Sequence, residues 1–189
     1  MFRKENIVAE LKTLKEEAKQ EHARKLQMLV NDWTRRRLLR VYGRVAIELP
    51  KVPPICQREW LAILQPPVER IVGTANRQIR STKKGLQLTS AKGLLLIANE
   101  GNLLYTTPAD YLAVISRILK KRTQTREIRF PEINAVVYIS FDITRSGLVP
   151  RWQAGFVDMS DHQLRDFVNT LQHQWFAFLS RLRAFAITP

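Results

Sequence analysis

Two short runs constrain the fold most: Gly93-Leu-Leu-Leu-Ile-Ala98 and Ala135-Val-Val-Tyr-Ile-Ser-Phe141. Both are almost continuously apolar, and the second is rich in β-branched and aromatic residues. A strand with one face in water alternates polar and apolar residues. A strand covered on both faces does not, and that is the pattern of an α/β sheet. Between and around these runs the apolar residues recur at helical spacing. Residues 68–88 place Val68, Ile71, Val72, Ala75, Ile79 and Leu86 on one side. Thr107-Pro-Ala-Asp110 reads as a helix start, continued by Leu112, Ile115, Ile118 and Leu119 and closed by Lys120, Lys121 and Arg122. Ser160 is placed to cap a last helix carrying Leu164, Phe167, Val168, Leu171, Trp175, Leu179 and Leu182.

The remaining stretches are less distinctive. Ile7, Leu11, Leu14 and Ala18 recur at three- and four-residue spacing, which predicts a long N-terminal helix over residues 4–31. Its narrow apolar stripe makes it a candidate assembly element, pairing with a second copy or a partner protein. Val45–Leu49 is β-prone and ends at a proline-rich stretch, because proline brings no amide hydrogen to a ladder. Residues 59–64 fit a short helix stopped by Pro66 and Pro67, and residues 151–157 fit a further strand. The expected architecture is a single α/β domain over residues 1–189, with a mixed central sheet flanked by helices and a long helix in front.

Charge narrows the partners. Lysine and arginine number 31 against 17 acidic residues, a formal net charge of +14, and residues 1–100 carry +10 of it. Such a surplus attracts polyanions, and the attraction weakens with salt. Arg35, Arg36, Arg37, Arg40 and Arg44 form one cluster, and Arg77, Arg80 and Lys84 lie opposite the apolar side of their helix. Arginine grips phosphate through a planar fork, so these eight are the candidate nucleic-acid contacts. DNA is expected before RNA. A docking surface for an acidic protein is the alternative. Trp33, Tyr42 and Trp60 lie near the first cluster, as core residues or as stacking platforms for bases. No apolar run approaches the roughly 20 residues that cross a bilayer, so no membrane is expected. Cys56 is the only cysteine, which excludes an intrachain disulfide and suits a reducing, cytoplasmic setting. Glycine-rich phosphate loops and nucleophile elbows are absent from the sequence.

One further pattern lies between Ala75 and Phe141. It comprises the helix with Asn76-Arg-Gln-Ile-Arg-Ser-Thr-Lys-Lys84, the strand and turn Gly93–Asn102, the helix ending Ile118–Arg122, and the strand Ile133–Ser140. In order and spacing this set resembles the C-terminal half of restriction-endonuclease-like proteins of the PD-(D/E)XK superfamily, and it covers about a third of the chain. The resemblance implies a restriction-endonuclease-like sheet and a metal-dependent endonuclease or its non-cleaving relative. It also implies a strand carrying an acidic residue, one intervening residue and a lysine. The carboxylates of that family hold Mg2+ or Mn2+, and the lysine stabilises charge on the phosphate. Glu48-Leu-Pro-Lys51 lies nearest to the expected place, with the lysine one residue late. Glu48 and Lys51 are therefore the candidate catalytic pair, with Glu48 and Asp32 as candidate metal ligands. Some members add a glutamine on the crossing helix, and Gln78 matches that place. Glu100, Asn102 and Asp142 follow buried runs, where α/β proteins place ligands or turns. His22, His162 and His173 have no partners at metal-ligand spacing.

Overall fold

The computed structural model describes residues 6–14, 17–40, 51–100, 108–144, 147–153 and 164–186. Four strands and four helices follow one another as β1 (Ile7–Leu14), α1 (Glu17–Arg35), α2 (Pro54–Gly85), β2 (Lys92–Glu100), α3 (Pro108–Leu119), β3 (Ala135–Thr144), β4 (Gly147–Gln153) and α4 (Arg165–Ala186). The sheet has the order β1-β2-β3-β4, with β1, β2 and β3 parallel and β4 antiparallel to β3. The expected mixed sheet is thus present, built on three parallel strands.

Side-chain alternation divides the core in two. Val8, Leu95, Ile97, Val136 and Tyr138 face a layer formed by Leu26 and Trp33 of α1, the buried side of α2, and Val114, Ile115 and Ile118 of α3. Ile7, Leu94, Ala135, Val137 and Ile139 face the other way, onto Leu164 and Val168 at the start of α4. Helices therefore cover both faces, which is why β2 and β3 read as unbroken apolar runs.

Three expectations need correction. Residues 7–14 are a strand and not the first turns of a helix. Ile7 and Val8 are adjacent and both buried, on opposite sides of the sheet, which a helix stripe cannot do. Leu11, which supported the helical reading, is 57% exposed. The strand pairs with β2 from Ile7 opposite Lys92 to Leu14 opposite Asn99, so the segment 1–31 is not a separable assembly helix. The helix begins only at Glu17 and runs on to Arg35.

The second correction concerns Pro66 and Pro67, which lie inside α2 and do not stop it. Pro66 is exposed, as is Ala62, whose carbonyl loses its helical donor on a side open to solvent. On the opposite side Trp60, Leu64, Val68, Val72, Ala75 and Ile79 are buried along the whole length. That burial carries the helix through the break. Third, β4 starts at Gly147, four residues before the expected strand. The expected strand at Val45–Leu49 and the cap Ser160 lie outside the described residues.

Candidate functional site

Strand β1 carries Glu10-Leu11-Lys12. In a strand, residues two apart share a face. Glu10 lies opposite Leu95 and Lys12 opposite Ile97, so both point to the side that α2 covers. There Lys12 Nζ lies 2.9 Å from Glu10 Oε1, and the two side chains are only 22% and 23% exposed. The same ammonium donates to Gln78 Oε1 of α2. A carboxylate and an ammonium, both half-buried, and the amide of the exposed Gln78 are thus gathered at the edge of the described sheet. Among the described residues β1 is an edge strand, and charges on an edge strand discourage pairing with another chain.

The pattern of acid, one residue, lysine on a strand is therefore present at residues 10–12, whereas residues 48–50 lie outside the described residues. It was written in the sequence. A helical reading of residues 4–31 hides it, because a helix turns positions i and i+2 about 200° apart. The donor set is sparse for a hard cation of the Mg2+ type, which takes one or two carboxylates and fills its remaining positions with water and substrate phosphate, because the single carboxylate here is already paired with Lys12. Glu10 would be that carboxylate. When bound, such an ion polarises a phosphate and activates water. Among the described residues no group of three or more His, Cys, Asp or Glu could hold a metal ion.

Among the described residues, those expected from sequence do not converge. Lys51 is exposed and precedes α2, whereas Gln78 lies 24 residues beyond the first residue of that helix. At 1.5 Å per residue the separation is about 36 Å. Asp32 is bonded to Arg36 at 3.0 Å near the end of α1. Arg36 also bonds Glu59 at 3.0 Å, close to the start of α2. Glu59 in turn accepts the Trp33 indole N–H at 2.7 Å. That bond and the Arg36 guanidinium hold the Glu59 carboxyl below its ordinary value. Asp32 and then Glu59 push the Arg36 guanidinium up. Asp32, Arg36 and Glu59 form a structural tie between two helices, so among the described residues only Gln78 of the expected metal constellation reaches the site. Glu48, Arg44, Tyr42, Asn102 and His162 lie outside the described residues, as do the side chains of His22, Glu100 and Asp142. His173 is exposed on α4.

The expected cationic face also divides. Arg35, Arg37 and Arg40 are exposed, but they lie by the start of α2. Arg77 is 18 residues further along α2 than Glu59, about 27 Å away. The two arginine groups are therefore separate surfaces. Trp33 and Trp60 are core residues, 0% and 5% exposed, with ring centroids 6.2 Å apart. Neither is a platform for bases.

Two carboxylates near the far half of α2 each hold two cations. Glu69 takes Lys121 at 2.7 Å and also pairs with Arg129. Glu132 takes Lys83 at 2.9 Å and Arg80 at 3.3 Å. Lys121 chiefly holds the Glu69 carboxyl down. At Glu132 burial opposes ionisation, but Lys83 and Arg80 outweigh it, and the net effect is again a lowering.

Because all three glutamates have folded values below 4.5, the stability they add is complete above the ordinary carboxylate range. It is lost as pH falls through the lowered folded values. Urea midpoints are expected to hold steady from about pH 7 to 5 and to drop at more acid pH, with a smaller drop in Glu132→Gln. An equal drop in that variant would contradict the assignment at Glu132.

No family model, curated protein or solved structure matches the chain. No described helix is long and apolar enough to cross a membrane.

Proposed function

We propose that this chain binds nucleic acid, DNA in the first place, and handles the phosphodiester at Glu10, Lys12 and Gln78, in a fold related to the restriction-endonuclease-like proteins. The observation that carries the reading is the placement of Glu10 and Lys12 on one face of a sheet strand, with the glutamine of the crossing helix bonded to the lysine. That is the combination the resemblance asks for. In this reading Glu10 holds Mg2+ or Mn2+, Lys12 balances charge that develops on the phosphate, and Gln78 positions the lysine. The protein is then a metal-dependent endonuclease. A single buried cysteine suits a cytoplasmic, reducing setting.

The test is conversion of supercoiled plasmid by the full chain in Mg2+ or Mn2+, with chelator as control. Nicked or linear product that requires the metal is expected. Saturated binding without any product in either metal would remove the catalytic half of the proposal. Failure to bind DNA at low salt would remove all of it.

A further inference from the structure

Residues 120–131 close α3 and lead toward β3, and they are not an irregular loop. Arg122 and Ile128 form an antiparallel bridge. The Thr123 amide donates to the Glu127 carbonyl at 2.8 Å, the Arg126 amide to the Thr123 carbonyl at 3.0 Å, and the Arg129 amide to the Lys121 carbonyl at 3.1 Å. The Glu127 amide donates to the Thr123 hydroxyl at 3.2 Å. This is a small hairpin with the three-residue tip Gln124-Thr125-Arg126. Arg126 has φ 65°, at the left-handed position that such tips usually give to glycine. A side chain there costs on the order of 1 kcal/mol. The chain has placed a cation at the one tip position where a side chain is least welcome.

The hairpin is fastened along α2. Lys121 and Arg129 grip Glu69. Phe130 packs where a Cβ on Gly73 would touch it, at 3.6 Å. The Glu132 amide donates to Asn76 Oδ1 at 3.0 Å. Residues 69–84 and 120–132 together hold ten cations and three carboxylates, so half of the chain's +14 sits on 29 residues. Arg70, Arg77, Lys84, Lys120, Arg122 and Arg126 are exposed and form no ion pair among the described residues. Arg70, Arg77 and Lys84 are spaced by seven, which lines them up with a drift of about 20° per step. They make a row about 21 Å long.

We infer that this hairpin and the α2 row form the docking surface for the phosphate backbone of a nucleic-acid duplex, beside Gln78 and its partners. The inference rests on the nucleic-acid reading above and gives that partner its form. A row of about 21 Å spans about six base-pair rises of 3.4 Å along a duplex axis, so its cations can meet backbone phosphates on that length of duplex. The only aromatic residue of the surface, Phe130, is 8% exposed, with the Arg129 guanidinium 5.4 Å from its ring centre. A single-strand surface stacks bases on exposed rings, and this surface offers cations alone.

The experiment is fluorescence anisotropy on a labelled duplex over a salt series. It compares the full chain with a variant carrying Lys120→Ala, Arg122→Ala and Arg126→Gly. Glycine at 126 keeps the tip geometry, and an unchanged circular dichroism melt checks the fold. The variant is expected to bind at least 10-fold more weakly at 0.15 M salt, with a salt slope smaller by 2 to 3 units. A parallel variant with Arg35→Ala, Arg37→Ala and Arg40→Ala is expected to lose less. If the parent binds duplex and the hairpin variant binds equally well, the inference is wrong while the nucleic-acid reading stands. A larger loss in the Arg35 variant has the same meaning. Tighter binding of a single strand of equal length overturns the choice of duplex. Displacement of the duplex by poly-glutamate as readily as by unlabelled duplex reassigns the surface to an acidic protein. A parent that binds neither duplex nor single strand at low salt removes the nucleic-acid reading itself.

Discussion

Glu10→Gln is expected to slow metal-dependent DNA cleavage by about 100-fold or more while leaving metal-free DNA affinity within about 2-fold. The substitution is nearly isosteric and removes the one carboxylate bonded to Lys12 in the described site. A hard cation holds poorly to a neutral amide, so the metal and the chemistry it supplies are lost together. Lys12 keeps its bond to Gln78, so the strand keeps its place. Lys12→Ala is expected to lose a comparable factor through the missing cation. The measurement is the single-turnover nicking rate in Mn2+. If Glu10→Gln cleaves as fast as the parent, Glu10 and Lys12 are an edge-blunting ion pair and nothing more.

Gly93→Ala is expected to destabilise the protein by about 3 kcal/mol or more. A Cβ at residue 93 would lie 1.8 Å from the Glu132 carbonyl oxygen, 2.9 Å from its carbon and 3.0 Å from Ile79 Cγ2. Glycine is required here by close approach of two backbones, not by its dihedral freedom. Neither side can give way. The Gly93 amide donates to Asn134 Oδ1 at 2.7 Å, and the Asn134 amide donates back to the Gly93 carbonyl at 2.8 Å. Glu132 is held through its amide by Asn76 and through its carboxylate by Arg80 and Lys83. The methyl group must therefore part β2 from the start of β3, and with it the base of the basic hairpin. Urea unfolding measures the loss. A change below about 1 kcal/mol would mean that the two backbones do not approach this closely.

What could be read in the sequence follows from what each segment buries. β2 and β3 were legible because both of their faces are covered, so the residues had no polar side to confuse the pattern. α3 and the second half of α2 were legible because they present one buried and one charged side. β1 was not. It lies at the sheet edge, its positions 10 and 12 carry charge, and its apolar residues happen to fall at helical spacing. Pro66 and Pro67 misled because local chemistry forbids what packing enforces. The hairpin was invisible because its bonds are mostly main-chain to main-chain. Its one sequence clue was negative: no glycine stands at a tip that needs a left-handed residue.

The same burial logic explains the site. Gln78 is legible because the resemblance asks for a glutamine on the crossing helix and Gln78 stands at that place. Its partners are not, because they depend on a strand whose apolar residues fall at helical spacing. Arg35, Arg36, Arg37 and Arg40 looked like the strongest phosphate cluster in the sequence. In the fold Arg36 is committed to Asp32 and Glu59, and the denser cationic surface is built from two segments about 50 residues apart.

Replacement of a polyphosphate's counterions by this concentrated cationic face is the step on which the proposed function turns. Its most direct measurement is the salt dependence of duplex binding by the unaltered chain. With six exposed cations unpaired among the described residues of that face, log K against log salt is expected to fall with a slope of about −4 to −6. A flat dependence, with affinity unchanged from 0.05 to about 0.3 M salt, would contradict the account.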